Sequence, residues 1–306
     1  MKKVFINACA AKEGGALSIV EGYVKECDPI DFYYIVSPTE PTILPINSKW
    51  IEFKTNNIYT FIYTVLFSYF HAVFYCRASK IISFNNYNCL FSFLLTRVTY
   101  FHNILIVEDS SLKYKVIRFY LKFFNQSSCD YIFQTSYVSN MFKSILPGIN
   151  SSTIIHPKVD VDFTYKSDYF DFSQYAKSIN LLIPITDVNF AHKNINLIYS
   201  LAKKTSSLNI VFFVTADGVN FDNVIFIGKK CKSEFLYVMS ESNGIVISSL
   251  FETFCLPIFE AISLNVPVYI LDRPYISGLE VLLKDHKGFF KFSDVNSFAS
   301  LPFKKN

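Results

Sequence analysis

The stretch SSLFETFCLPIFEAISL, residues 248–264, carries the pattern that decides the fold of this chain. It follows GIVI at 244–247, a β-branched apolar run typical of a buried strand, and its second half has the composition of a helix. Pro257 suits the first helical turn, where the N–H that proline lacks is not needed. The stretch therefore predicts a strand, a loop that carries Glu252, and a helix that carries Glu260 in its first turns.

The loop before this helix suits a phosphate group. A helix N-terminus offers unpaired backbone N–H groups and a partial positive charge. Thr253, Phe254 and Cys255 occupy that position, and Glu252 and Glu260 flank it. Carboxylates accept hydrogen bonds from hydroxyl groups. A sugar nucleotide carries both phosphates and hydroxyl groups, so the segment predicts a site for such a molecule.

The pattern SxxExFxLxxxEAxxxxxP, from Ser249 to Pro267, resembles the carboxy-terminal signature of retaining GT-B glycosyltransferases of the family 4 type. The resemblance implies an α/β protein with two Rossmann-like domains that face a central cleft. It also implies that Glu252 contacts the donor sugar and that Glu260 contacts the ribose of a nucleotide-diphosphate sugar. In this interpretation the sugar nucleotide is a co-substrate and no cofactor is needed.

The remainder of the chain alternates strand and helix patterns, as parallel sheets covered on both faces do. Strands are predicted at 3–7, 32–36, 80–83, 99–101, 131–134, 153–155, 179–184, 210–214, 224–227, 244–247 and 266–271. Helices are predicted at 16–26, 58–76, 111–124, 194–204, 233–241 and 257–264. The length of 306 residues suits two domains. We predict an acceptor-side domain over 1–156, a linker over 157–178 and a nucleotide-sugar-binding domain over 179–306.

In the first half, two places directly after predicted strands attract attention, because open α/β sheets bind ligands at the carboxyl ends of their strands. Gly14 and Gly15 permit close approach of a phosphate or an acceptor sugar, and their position resembles the glycine-rich first loop of the family. An ordinary tight turn is the alternative. His102 follows the strand at 99–101 and resembles a family histidine that reaches the donor sugar, although a loop histidine without a ligand fits equally well.

In the second half, Lys193 lies in PITDVNFAHKN, residues 184–194, between a strand and a helix. A cation near a helix start is unfavourable without an anion, which favours a role in neutralising the donor diphosphate. The family often places an arginine a few residues earlier, and residues 186–191 contain none. By the same resemblance, Gly228 and Lys229 are expected near the nucleotide base. Lys193, Glu252 and His102 are the predicted catalytic residues.

Metal and nucleic-acid chemistry are disfavoured. The sequence Asp160-Val161-Asp162 matches the D-x-D metal signature of a different glycosyltransferase fold, but no nucleotide-binding strand pattern surrounds it, so we predict no essential metal. P-loop and GxGxxG motifs are absent from the sequence. The net charge of +4 comes from residues 1–155, with 14 basic against 10 acidic residues, and is too sparse for nucleic acid.

The cysteines and the first residues predict a cytoplasmic location. Seven scattered cysteines without CxxC spacing argue for a reducing compartment. The apolar part of the opening MKKVFINACA is too short for a signal peptide.

Two aromatic segments raise the question of membrane contact. Residues 58–76 contain no Asp, Glu, Lys or Arg over 19 residues, which just reaches the length of a membrane span. Six Tyr or Thr residues and His71 interrupt the segment, which favours a buried or interfacial helix. Residues 111–124 alternate basic and aromatic residues, which suits peripheral contact with an anionic bilayer or a core helix with extended lysines.

These features predict a hexosyltransferase-type enzyme that moves a sugar from a nucleotide-diphosphate donor to a saccharide acceptor with retention of configuration. The resemblance favours a lipid-linked acceptor in the assembly of a bacterial surface polysaccharide such as lipopolysaccharide or O-antigen. Two alternatives stay open. One is a nucleotide-sugar epimerase of related fold, and the other is a non-catalytic saccharide-binding protein.

Overall fold

The chain divides into two compact units, each built around one parallel β-sheet. The computed structural model describes residues 1–54, 56–163, 170–283 and 286–303. Unit 1 comprises Met1–Lys158 and unit 2 comprises Val159–Asn306. Of the predicted linker, residues 164–169 lie outside the described residues.

Unit 1 contains a seven-stranded sheet. Its strands are β1 (Lys3–Asn7), β2 (Phe32–Ser37), β3 (Ser48–Glu52), β4 (Lys80–Ser83), β5 (Thr96–Phe101), β6 (Asp130–Phe133) and β7 (Ser151–Ile154). They pair in the order β3-β2-β1-β4-β5-β6-β7, and every pairing is parallel. The strand order reverses direction between β1 and β4. Ligands bind at such a reversal in open α/β sheets, outside the carboxyl ends of the strands.

The helices of unit 1 include one irregular segment. They are α1 (Gly14–Lys25), α2 (Asn57–Ile62), α3 (Ser68–Phe70), α4 (Leu105–Glu108), α5 (Leu112–Phe123) and α6 (Ser136–Ile145). A π-helical turn, Tyr63–Phe67, joins α2 to α3, and a second one, His71–Tyr75, follows α3. The four pieces form one helical segment, which we call the aromatic helix. Tyr63, Tyr69 and Ala72 of this helix pack in a core cluster with Phe5 of β1.

Unit 2 contains a six-stranded sheet. Its strands are β8 (Ile179–Ile183), β9 (Ile210–Val214), β10 (Val224–Phe226), β11 (Gly244–Ile247), β12 (Val268–Leu271) and β13 (Phe289–Phe292). Its helices are α7 (Ile195–Lys204), α8 (Lys232–Glu241), α9 (Leu256–Ser263), α10 (Glu280–Leu283) and α11 (Val295–Ala299). The strands pair in parallel in the order β10-β9-β8-β11-β12-β13, so the order reverses between β8 and β11.

The apolar strands of unit 2 form its core because a parallel sheet is buried on both faces. Phe212, Val246 and Tyr269, from three different strands, are almost fully buried in one cluster with Ile198 and Leu201 of α7. This packing fixes the position of α7 against the sheet, and with it the loop that leads from β8 into α7.

All eleven predicted strands are present, each within three residues at either end. The two strands that the prediction missed, β3 and β13, lie at sheet edges. Both are partly exposed and therefore lack the continuous apolar run of a buried strand. The predicted helix at 58–76 is present, but the π-helical turns interrupt it.

Candidate functional site

Two loops meet at the reversal of strand order in unit 2. The loop after β8 contains a short 3-10 helix, Ala191–Lys193, and the other loop follows β11. The Ser248 hydroxyl donates to the carbonyl oxygen of Lys193 at 2.7 Å. The backbone N–H of Leu250 donates to the carbonyl oxygen of His192 at 2.7 Å. These bonds hold both loops together at the carboxyl edge of the sheet, where ligands of this fold class bind.

Lys193 and Glu252 form an ion pair between these loops. The Lys193 Nζ lies 2.6 Å from Glu252 Oε1, and the two side chains are 23% and 14% exposed. Burial lowers the pKa of Lys193, but the groups beside it, chiefly the Glu252 carboxylate, together raise it by more, so the pKa lies above its usual value. The ammonium group therefore stays protonated at neutral pH. The sequence predicted both residues for this site, and the structure brings them together.

Glu260 forms a second ion pair, with Lys232 at the first position of α8. The Glu260 side chain is 4% exposed, whereas Lys232 is 45% exposed. Burial raises the pKa of Glu260, and the Lys232 ammonium offsets only part of this rise. The Lys232 ammonium therefore favours the charged form of the Glu260 carboxyl group. Lys232 was not predicted from the sequence, although a lysine at a helix start is the same signal that indicated Lys193.

The start of α9 has a tightly turned backbone. Cys255, the residue before the helix, has a left-handed conformation with φ of 57° and is buried. Burial raises the pKa of its thiol well above the usual value, so the thiol stays protonated. Phe254 stacks on Phe259 with 4.3 Å between ring centroids, which anchors the loop to the helix. Thr253 is half-buried beside Phe254. Their predicted contacts with the nucleotide stay predictions.

Gly228 and Lys229 lie after β10, two strands from β8 at the same edge of the sheet. The Gly228 N–H donates to the Ala216 carbonyl at 3.2 Å, which joins the loops after β9 and β10. Its φ of 72° is one that other residues adopt only with strain. Lys229 is exposed. The structure therefore places both residues at the ligand edge, while their contact with a base stays a prediction.

In unit 1, uncharged side chains join the loops at the reversal of strand order, although the loop after β1 also carries exposed charged residues. Asn85, after β4, accepts a hydrogen bond from the Ala10 N–H at 2.9 Å, and its amide nitrogen donates to Thr64 Oγ1 at 3.0 Å. Gly14 has φ of 62° and begins α1, followed by Gly15. Nothing lies within 4 Å of the place where a Cβ of Gly14 would stand, so the backbone angle, not crowding, favours glycine.

His102 follows β5 at the same edge of the unit 1 sheet. Its backbone N–H donates to the side-chain oxygen of Asn86 at 2.7 Å, and its ring lies 6.3 Å from the ring of Tyr100. Burial lowers the pKa of His102 to about 4. The imidazole is therefore neutral at physiological pH, so it can donate from one nitrogen and accept at the other.

The D-x-D sequence forms an exposed turn. Asp160 accepts a hydrogen bond from the backbone N–H of Asp162 at 3.2 Å. In the part of the chain that the structure describes, no three His, Cys, Asp or Glu side chains are grouped as a metal site. Independence from metal stays a prediction that a chelator can test.

Known proteins resemble the chain in structure rather than in sequence. No family model and no curated protein matches the sequence. The structure resembles Anabaena Alr3699/HepE in complex with UDP and glucose, with a TM-score of 0.67 and 15% identity over 98% of this chain and 88% of that one. Sucrose-phosphate synthase from Thermosynechococcus elongatus gives a TM-score of 0.67 and 13% identity, with 98% and 88% covered. WaaG, a glycosyltransferase involved in lipopolysaccharide biosynthesis, gives 0.62 and 15%, with 99% and 87% covered.

These similarities extend over nearly the whole chain, so they include both sheets. They show that the protein has the GT-B fold, and the predicted α/β class with two Rossmann-like domains is confirmed. Fold alone does not decide chemistry, which depends on the side chains of the site.

Proposed function

We propose that the protein is a glycosyltransferase that takes a sugar from a nucleotide-diphosphate donor. The proposal rests on two ion pairs, Lys193–Glu252 and Lys232–Glu260, at the carboxyl edge of the unit 2 sheet. The resemblance to HepE, which was crystallised with UDP and with UDP-glucose, supports a nucleotide-sugar donor.

Lys193 suits the stabilisation of a leaving diphosphate. An ammonium group donates up to three hydrogen bonds, so the bond to Glu252 leaves capacity for two phosphate oxygens. Negative charge grows on the diphosphate as the bond to the sugar breaks, and a fixed cation stabilises that charge most in a partly buried site. Glu252 holds Lys193 in place through one oxygen and can accept from a sugar hydroxyl through the other.

Glu260 suits recognition of the ribose. Its carboxylate is almost fully buried, and the ion pair with Lys232 uses one of its oxygens. A carboxylate accepts several hydrogen bonds, and a vicinal pair of ribose hydroxyls supplies two donors. Because α9 holds Glu260 and the loop before α9 holds Glu252, one rigid segment positions both carboxylates.

The reaction is proposed to retain configuration, as in the family 4 enzymes that the sequence pattern resembles. Among the side chains at this edge, Glu252 is engaged by Lys193 and suits orientation of the sugar better than covalent attack. We propose a same-face displacement assisted by the leaving phosphate. We also propose a hexose as the sugar and a lipid-linked saccharide as the acceptor.

We further propose a cytoplasmic location, with which the seven free cysteines agree.

Calorimetric titration of the purified protein with nucleoside diphosphates and their sugar derivatives, with and without a chelator, tests the donor site. We expect one nucleotide series to bind regardless of the chelator.

Glu260→Ala should weaken binding of the free nucleoside diphosphate by about 10- to 100-fold, because it removes a charged acceptor. Glu252→Ala should mainly slow consumption of the donor. Glu241→Ala, an exposed glutamate at the end of α8, is the matched control.

Two results would contradict the proposal. Binding of none of the nucleotides would favour a non-catalytic saccharide-binding protein. Conversion of the donor into its epimer in the absence of an acceptor would favour an epimerase.

A further inference from the structure

The solvent side of α5 carries an apolar stripe. Leu112, Val116, Phe119 and Phe123 recur at steps of three and four residues, which places them on one face of the helix. They are 77%, 49%, 56% and 68% exposed. The opposite face is also apolar, and it is buried through Ile117, Tyr120 and Leu121. A surface helix normally turns a polar face outward, so the outer stripe has no role in the core of unit 1.

Lysines border this stripe. At about 100° per residue, Lys115 and Lys122 lie along one side of it and Lys113 along the other. All three are exposed, and α5 contains no acidic residue. Arg118 differs from them, because its guanidinium donates to the carbonyl oxygens of Ile106 and Asp109. The border of the stripe is thus positively charged and available to solvent.

The aromatic helix exposes a second apolar face. Its partly or fully exposed side chains include Tyr59, Ile62, Leu66, Phe67, Phe70 and Phe74, at 36% to 69% exposure. In a regular α-helix, side chains four residues apart differ in direction by about 40°. Exposed side chains at such steps would therefore wind around the helix and not stay on one face. The two π-helical turns hold more residues per turn and offset this drift. Two exposed basic residues flank the helix: Lys54, which forms an ion pair with the exposed Glu52, and Arg77.

The two helices that carry these faces are neighbours in unit 1. The rings of Phe61, on the aromatic helix, and Tyr120, on α5, lie 5.7 Å apart. Phe91 lies 5.8 Å from Phe70 and begins a loop that exposes Phe93 and Leu94 at 75% and 67%. We call the outward side chains of α5, the aromatic helix and residues 91–94 the aromatic surface.

An open groove of about 730 Å³ extends the aromatic surface at the start of the aromatic helix. Phe53, Tyr59, Ile62 and Phe67 line it together with Lys54. The groove thus combines aromatic walls with a lysine, as the border of α5 combines an apolar stripe with lysines.

We propose that the aromatic surface binds the face of an anionic lipid bilayer. Aromatic and aliphatic side chains on one face of a helix enter the boundary between head groups and acyl chains, where amphipathic rings are favoured. Lysines beside them bind the anionic head groups. A protein partner fits less well, because the cores of protein interfaces are depleted in lysine, whereas three exposed lysines border the stripe of α5.

The aromatic helix lies on the bilayer in this proposal and does not cross it. Among the described residues, Ile58–Tyr75 is the one helical segment long and apolar enough to span a membrane, with mean hydropathy 1.3. However, 39% of it is buried inside the protein. Thr64 of this segment accepts hydrogen bonds from Asn7 and Asn85, and Tyr63 and Ala72 pack in the core. A span would have to break these contacts.

Co-sedimentation of the full chain with vesicles, in the absence of nucleotide, tests the proposal independently of the donor site. We expect binding to vesicles of phosphatidylcholine with phosphatidylglycerol, weak binding to pure phosphatidylcholine, and loss of binding at high salt.

Lys115→Ala with Lys122→Ala should weaken binding about 25-fold, since each lysine near an anionic surface contributes about fivefold. Phe119→Ser with Phe123→Ser should weaken it at least about tenfold.

Matched controls come from unit 2. Lys203→Ala with Lys204→Ala removes two exposed lysines from the last turn of α7, and Val219→Ser with Phe221→Ser removes two exposed apolar side chains. Both controls should bind vesicles as the unmodified protein does, and circular dichroism should show that every variant is folded.

Three outcomes would overturn the proposal. One is equal binding of neutral and anionic vesicles. Another is resistance of the bound protein to alkaline carbonate extraction, which would indicate a span. The third is failure to bind vesicles together with self-association that Phe119→Ser and Phe123→Ser abolish, which would make the aromatic surface an interface between copies of the chain.

Discussion

The ligand edges of the two sheets share a topology and differ in chemistry. In each sheet the strand order reverses once, and the loops that follow the two strands at the reversal are hydrogen-bonded to each other. In unit 2 an ion pair, Lys193–Glu252, joins these loops. In unit 1 the side-chain amide of Asn85 joins them, and the histidine near this edge, His102, is neutral. A Rossmann-like sheet therefore determines where a ligand binds, and the loop residues determine which ligand it is.

The contrast has a physical meaning. A diphosphate needs fixed cations, because hydrogen bonds from neutral groups balance little of its charge. Saccharide hydroxyls are satisfied by amides, hydroxyls and neutral imidazole, each of which both donates and accepts. The ion pair of unit 2 thus agrees with the proposed nucleotide-diphosphate donor, and the uncharged groups that join the loops of unit 1 agree with the proposed saccharide acceptor.

Lys193→Ala should show the largest effect and tests the charged edge directly. Loss of the cation that we propose stabilises the leaving diphosphate should lower kcat for donor consumption by about 100- to 1000-fold. The initial rate with the donor identified by titration is the measurement. Lys204→Ala, on the exposed last turn of the adjacent α7, is the control and should keep normal turnover. Unchanged turnover in Lys193→Ala would falsify the role of the ion pair in catalysis.

Burial of His102 should make the stability of the protein depend on pH. The folded-state pKa of His102 is about 4, below the usual value near 6.5, so between these values the unfolded chain binds a proton that the folded chain does not. Stability should therefore fall as pH falls through this window, by up to about 3 kcal/mol from this residue. Urea unfolding across the window should show a shallower pH dependence in His102→Gln. An identical slope in both proteins would mean that other groups cause it.

A smaller effect is expected from Lys232→Ala, which leaves the Glu260 carboxylate buried without its cation. The folded-state pKa of Glu260 then rises further above its unfolded value, so stability falls as pH rises through that range. We expect a loss of about 1–2 kcal/mol at neutral pH, because Lys232 is half-exposed and solvent screens the pair. Denaturant unfolding near pH 7 and near pH 5 is the measurement, with a smaller loss at the lower pH.

Glu260→Gln sharpens this experiment, because the amide carries no charge at either pH. In that background Lys232→Ala should cost little, and the cost should not depend on pH. A full loss of stability in the double variant would show that Lys232 acts by packing rather than by charge.

Local pattern predicted most of the fold. The apolar runs of β8, β9 and β11 were recognisable because strands buried on both faces consist mostly of apolar residues. The edge strands β3 and β13 were not, since solvent removes that requirement. The helix α6 was missed although Thr135 caps it, accepting from the Val138 N–H, and its apolar residues recur with helical spacing. The π-helical turns of the aromatic helix had no recognisable local signal.

The candidate site divides in the same way. The sequence by itself determined that Glu252 and Glu260 flank a helix start and that Lys193 precedes another helix, because these are relations between neighbours along the chain. Only the tertiary structure decided that Lys193 meets Glu252 and that Lys232 meets Glu260, across 59 and 28 residues. Such pairings depend on the order in which strands join the sheet, and strand order arises from packing of the whole unit. The outward apolar stripe of α5 was likewise decided by which face the core had already buried.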